Sequence, residues 1–134
     1  MIRRPPRSTH CISSAASDVY KRQDEDRKVD IARIANATAK LLECDLELSP
    51  SDILSSDEYI GERYGVLTQE GRDALKLVAE TEGIFLDPVY TSKAMAGMID
   101  QIRKGIITKN ETVVFIHTGG LPALFAYAED LMLS

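Results

Sequence analysis

The chain has 134 residues, enough for one domain or a piece of a larger one. Hydrophobic residues make up 44%, which supports a packed core and excludes full disorder; the longest apolar stretch, residues 121–128, falls short of the roughly 18 residues a membrane helix needs. Two cysteines, Cys11 and Cys44, are too few for a disulfide framework or a four-ligand zinc cluster, and a net charge of −5 argues against binding nucleic acid by neutralising phosphates.

Charge divides the chain near residue 23. Residues 1–23 carry a net +4 and residues 24–134 a net −9. The leader, MIRRPPRSTHCISSAASDVYKRQ, has no sustained apolar rhythm of period 3.6 or 2, and no apolar centre follows its basic start, so it fits a secretory signal poorly. Its Arg and Ser content leaves a transit peptide open. The string SSAASDVYKRQ resembles a translated sequencing adapter, which makes 1–23 a non-native or disordered leader and 24–134 the protein proper. His10 and Cys11 fall in it and are given no function.

From residue 24 the pattern predicts a helix over about 26–43, opened by acidic residues that suit the helix dipole. Val29, Ala32, Ile34, Ala35, Thr38, Leu41 and Leu42 would form its apolar face. Asp45–Leu48 alternates like a short strand, and Ser49-Pro50-Ser51 breaks it. Residues 59–67 read as a loop with Tyr64 between Gly61 and Gly65.

Thr68 is an N-cap for a second helix to about Glu82, with Ala74, Leu75, Val78 and Ala79 inward and Gly83 as its stop. Ile84–Leu86 is a strand candidate ended by Asp87-Pro88. A third helix is predicted from about Ser92 to Lys104, closed by Gly105, with Ala94, Ala96 and Gly97 allowing close packing. Thr112–His117 reads as a strand buried on both faces. Gly119-Gly120 turns the chain and Pro122 opens a last helix to about Tyr127. Helices alternating with apolar strands mean an α/β fold: part of a mostly parallel sheet flanked by helices.

In such folds ligands sit beyond the carboxyl ends of strands. Two turns qualify, residues 87–93 and His117–Gly120. On spacing alone each is first an ordinary strand-to-helix turn and second a ligand site. His117 by itself reads as a hydrogen-bonded core histidine before it reads as a base, and one histidine with one thiol in the body of the chain cannot make a metal set. Tyr64 and Tyr90 read as loop anchors, with the alternative of phenols poised to stack on a ring and exchange a proton. Lys93 could form a Schiff base, but it opens a helix expected to be exposed. The acidic residues of 43–62 read as a solvated face, and Met95 with Met98 as core.

Tyr64-Gly-Val, the helix ending Thr81-Glu-Gly, the block DPVYTSKAMAGMID from Asp87, and HTGGLPALFAY from His117 to Tyr127 together resemble the C-terminal part of the D-cysteine desulfhydrase and 1-aminocyclopropane-1-carboxylate (ACC) deaminase family. These are fold type II pyridoxal-phosphate enzymes, like the tryptophan synthase β chain. The resemblance covers about residues 27–128, and Ile34–Thr38 matches the helix expected upstream. It implies pyridoxal 5'-phosphate as cofactor. Tyr90 would stack near the pyridine ring and handle protons. Tyr64 would face the substrate, Thr118 would offer its hydroxyl to the pyridine nitrogen, and Thr91 and Gly119 would lie close by. The deaminase branch is expected to carry Glu after the DPVY tyrosine; Thr91 stands there instead, which favours a desulfhydrase, with a cysteate lyase relative still open. The implied reaction is β-elimination from D-cysteine to pyruvate, hydrogen sulfide and ammonia. The family's Schiff-base lysine and phosphate cradle lie near its N-terminus, so this chain is expected to be a C-terminal fragment, inactive alone. A small amino-acid substrate, no nucleic acid, no membrane, a homodimeric parent enzyme and a cytoplasmic location complete the expectations. A non-catalytic α/β binding module, or a subunit paired with a lysine-bearing chain, are the other readings.

Overall fold

A computed structural model describes residues 9–13 and 24–132. The elements run β1 (Thr9–Ser13), α1 (Asp24–Leu41), a 3-10 turn (Pro50–Asp52), α2 (Gln69–Glu82), α3 (Thr91–Arg103), β2 (Thr112–Ile116), α4 (Ala123–Ala126) and α5 (Ala128–Met132). The chain divides into two units, residues 16–57 and residues 1–15 with 58–134.

In the first unit α1 spans 18 residues, close to its expected range. It does not bury the broad apolar face read from the sequence. The buried stripe is Ala32 and Ala39, with Ala35 and Asn36 half-buried between them, while Val29, Ile34, Leu41 and Leu42 stay exposed. Small side chains at i, i+3, i+4 and i+7 let neighbouring backbone come close. Asn36 uses that proximity: its amide donates to the Leu48 carbonyl and its carbonyl accepts from the Leu48 N–H, both at 2.8 Å. The strand expected over Asp45–Leu48 is therefore absent. A side-chain amide, not a neighbouring strand, satisfies Leu48.

In the second unit α2 and α3 pack together. Thr68 caps α2 by accepting from the Gly71 N–H at 3.0 Å, and Gly83 ends it at φ 67°, as the sequence indicates. Ala74, Leu75 and Val78 from α2 join Leu86, and Met95 and Ala96 from α3, in the buried core; Met98, Phe115 and Leu124 pack against it. Gly97 faces the Tyr59 ring, which a Cβ there would meet at 2.9 Å, so the predicted close approach at this small residue is real.

Two strand readings are corrected here. Ile84–Leu86 forms no strand: Leu86 is fully buried, but Ile84 and Phe85 are exposed and the segment has no ladder partner among the described residues. β2 is present but not buried on both faces. Its residues alternate exposed and half-buried, because the core covers one side only. β2 pairs in parallel with β1, Thr9 opposite Thr112 through Ser13 opposite Ile116. Five residues of the leader, expected to be non-native or disordered, form this strand. The edge of β2 offers unpaired backbone groups that an extended Thr- and Ile-containing segment can bond. The rest of that leader, residues 1–8 and 14–23, lies outside the described residues.

Candidate active site

The turn between the core and α3 is organised by one buried carboxylate. Asp87 is 1% exposed. Its Oδ2 accepts from the N–H groups of Val89 at 2.9 Å and Tyr90 at 2.8 Å; its Oδ1 accepts from the Thr91 N–H at 2.8 Å and the Thr91 hydroxyl at 2.6 Å. The Thr91 hydroxyl in turn accepts from the Asp87 N–H at 2.7 Å. Asp87 therefore caps the turn that leads into α3, from four residues before the helix begins, with Pro88 next to it where a missing N–H costs nothing. Charge-assisted bonds of this kind are the stronger class, and here four converge on one side chain.

Tyr90 is held by this cap, and Tyr64 comes to it from the loop over residues 59–67. Their hydroxyls are 2.6 Å apart, and the rings lie 5.9 Å centroid to centroid at 55°. Tyr64 is 62% exposed and Tyr90 half-buried, so the pair opens to solvent on the Tyr64 side. The hydrogen bond with Tyr64, which stabilises the protonated Tyr90 phenol when Tyr90 donates, and then burial, hold that phenol above its usual pKa. Tyr90 thus keeps its proton through the neutral range. It is suited to donate or stack rather than to act as a phenolate base.

The second turn, His117–Gly120, lies against the first. A Cβ on Gly120 would fall 2.7 Å from the Asp87 Cβ, so only glycine allows this contact. His117 is fixed by two bonds: Nδ1 accepts from the Gly119 N–H at 3.0 Å, leaving Nε2 to donate to the Phe85 carbonyl at 2.9 Å. Both ring nitrogens are used to shape the turn, which favours the structural reading of His117 over a base. It is an exposed residue, however, not a core one. Thr118 is exposed, and a Cβ on Gly119 would meet nothing within 4 Å, so the turn faces open space.

The structure brings Tyr64 and Tyr90 into contact and sets Gly120, in the turn that also bears Thr118 and Gly119, against Asp87, which accepts from the Tyr90 N–H. It gives Thr91 a different place. Its hydroxyl is fully buried with its proton committed to Asp87, so it holds the cap and has no surface to offer a ligand. A separate cleft of about 560 Å³ between α2 and α3, lined among others by Tyr59, Asp73 and Asp100, contains none of these residues. No His, Cys, Asp or Glu cluster among the described residues could hold a metal.

Three residues that shape the site were not singled out as such by the sequence. Asp87 is legible afterwards, since Asp-Pro is a common helix opening. Tyr127 donates its phenol to the Gly65 carbonyl, just beyond Tyr64. Lys93, expected to be exposed, is 8% exposed, and its Nζ donates to the Ile60 carbonyl at 2.6 Å; burial lowers its pKa. A charge-based reading passes over the length of its aliphatic stem, which lets a buried lysine reach a distant acceptor.

A helical layer beside a parallel strand pair, with a strand-end glycine turn set against the turn that opens α3, is an α/β arrangement. The family profile of pyridoxal-phosphate dependent enzymes matches residues 4–119, and the chain belongs to that family. Its cofactor is pyridoxal phosphate. A solved structure described as an ACC deaminase homologue is similar at 36% identity with a TM-score of 0.60. The match covers 77% of this chain and 30% of that one, so this chain spans less than a third of that structure's length. No helix among the described residues is long and apolar enough to cross a membrane.

The donor set fits the ring end of such a cofactor. A phenol pair and a threonine hydroxyl on an exposed glycine turn suit a flat heteroaromatic ring. Lys93, the lysine nearest in sequence to Tyr90, is committed to the Ile60 carbonyl.

Proposed function

We propose that this chain is the C-terminal portion of a pyridoxal-phosphate-dependent carbon–sulfur lyase, most like D-cysteine desulfhydrase, and that it supplies the ring side of the cofactor pocket. The observation that carries the reading is the 2.6 Å contact between the Tyr64 and Tyr90 hydroxyls beside the His117–Gly120 turn. Thr118 and Gly119 would meet the cofactor ring, the hydroxyl of Thr118 facing the pyridine nitrogen. Bound cofactor supplies an electron sink that lets an α-proton leave the amino acid. Tyr90 would hold a proton near the reacting carbons, and Tyr64, sharing that proton and open to solvent, would pass it in or out. The β-substituent leaves as thiolate, and pyruvate and ammonia follow by hydrolysis.

The ACC deaminase reading has support in the name of the similar structure. Against it stands the position after Tyr90. Thr91 occupies the place where the deaminase branch is expected to carry Glu, and its side chain is turned into the Asp87 cap. No carboxylate is therefore offered there beside the phenol. The Schiff-base lysine is assigned to the part of the enzyme that precedes this chain, and the parent enzyme is read as a cytoplasmic homodimer by family resemblance.

The deciding experiment joins this chain to its upstream coding sequence and assays the product on D-cysteine and on ACC. Sulfide release from D-cysteine in excess of ammonia release from ACC is expected. The reverse ratio would overturn the desulfhydrase reading, and so would inactivity on both. The 134-residue chain alone should take up no pyridoxal phosphate on dialysis.

A further inference from the structure

Lys93 has no part in the chemistry described above, yet it is nearly buried and its ammonium is aimed at one atom. Within the described residues its single acceptor is the Ile60 carbonyl, at 2.6 Å. Filling that space with a methionine would avoid desolvating a cation altogether. What a lysine adds is a directed N–H at the end of a long stem.

The bond joins two segments that matter to each other. Lys93 lies in the first turn of α3, three residues beyond Tyr90 and on the same capped element. Ile60 lies four residues before Tyr64. Between them Gly61, at φ 80°, presses on Thr68, where a Cβ would stand 2.4 Å from the Thr68 Cγ2 and 3.6 Å from the Lys93 Nζ. On the far side of Tyr64, the Tyr127 phenol takes the Gly65 carbonyl. The loop is thus gripped on either side of Tyr64, and one of the two grips comes from the element that carries Tyr90.

We propose that Lys93 is a positioning residue: by binding the Ile60 carbonyl it sets the loop so that the Tyr64 hydroxyl meets that of Tyr90. The role deepens the reading of the tyrosine pair as part of the lyase site and rests on it for its functional meaning. Lys93 acts through the loop and touches neither phenol.

The test reads the ring pair itself, in the 134-residue chain without cofactor, by NMR with labelled tyrosines. Rings 5.9 Å apart give inter-ring nuclear Overhauser effects in the unsubstituted chain. In K93M, and in K93Q, which keeps a shorter donor, those effects are expected to be lost, while the core contacts of Ala74 and Leu75 with Met95 and Ala96 persist. Inter-ring effects of undiminished intensity in K93M would overturn the proposal. So would loss of the core contacts together with the ring pair in both variants, which would make Lys93 a folding residue only. No cofactor enters this readout. A lyase that proves indifferent to Tyr64 and Tyr90 would sink the functional reading and leave the lysine's effect on the rings standing; an unmoved ring pair would do the opposite.

Discussion

Gly120 lies so close to Asp87 that a Cβ on it would stand 2.7 Å from the aspartate Cβ and 2.8 Å from its Cγ. That contact joins the turn after β2 to the turn before α3. Asp87 cannot retreat, because four hydrogen bonds fix its carboxylate. The two halves of the candidate site are therefore held together through one glycine.

Gly120→Ala should be the costliest glycine substitution in this turn. It combines a positive φ of 87° with a clash against an immobile buried side chain. Strain and overpacking together give about 3 kcal/mol. Gly119→Ala has a similar φ of 94° but meets nothing within 4 Å, so only the backbone term, about 1 kcal/mol, applies. Urea unfolding of both variants checks the order; equal losses would remove the Asp87 contact from the account.

Thr91→Val tests the cap. The substitution keeps shape but leaves the buried Asp87 N–H without its acceptor and takes one donor from Oδ1. A buried donor left unsatisfied costs about 1–3 kcal/mol. Thr91→Ser keeps the hydroxyl and should recover most of it. A Val variant as stable as the parent would mean that the hydroxyl is free for another task, such as the cofactor contact implied by family resemblance.

What the sequence could and could not reveal follows the range of the forces involved. Thr68 and Gly83 mark the ends of α2 by local backbone chemistry, so they were legible. The DPVY and HTGG blocks were legible as turns for the same reason. The pairing of Tyr64 with Tyr90 spans 26 residues; only resemblance placed them in one site, since periodicity carries no information at that separation. Burial failed where it depends on a partner. β2 has the composition of a fully covered strand, yet the described residues cover one side. Ile84–Leu86 has strand residues but no ladder to join. Lys93 was misread because charge predicts exposure on average, whereas its carbonyl partner lies 33 residues away.

Tyr64→Phe should bring the Tyr90 titration back toward its ordinary value of 10.0. The hydrogen bond with Tyr64 is the largest cause of the raised pKa, and the variant removes it. With a raised folded value, the folded state keeps a proton that the unfolded state has released. The stabilisation is whole below pH 10.0 and fades as pH rises through the folded value. Tyr59, raised by its bond to Asp100, contributes in the same sense, so the difference between parent and variant is the quantity to read. Alkaline titration by tyrosine NMR should place Tyr90 lower in the variant, with a shallower loss of stability above pH 10.0. An unmoved Tyr90 would mean that burial and the nearby Asp87 charge, not Tyr64, set its pKa.

Gly97→Ala sets two opposing effects against each other in the middle of α3. Alanine in place of a helical glycine is worth about 1 kcal/mol. The added Cβ would lie 2.9 Å from the Tyr59 ring, and that ring is tethered, because its hydroxyl donates to the Asp100 carboxylate at 2.5 Å. Displacing a tethered ring costs about 1–3 kcal/mol, so the substitution should destabilise by about 1 kcal/mol net. Removing the tether with Tyr59→Phe frees the ring to slide, and in that background the helix gain should prevail. Thermal unfolding of the two single variants and the double variant measures the coupling directly. If Gly97→Ala costs the same with and without the Tyr59 hydroxyl, the bond to Asp100 does not hold the ring, and the glycine answers to the packing of α3 alone.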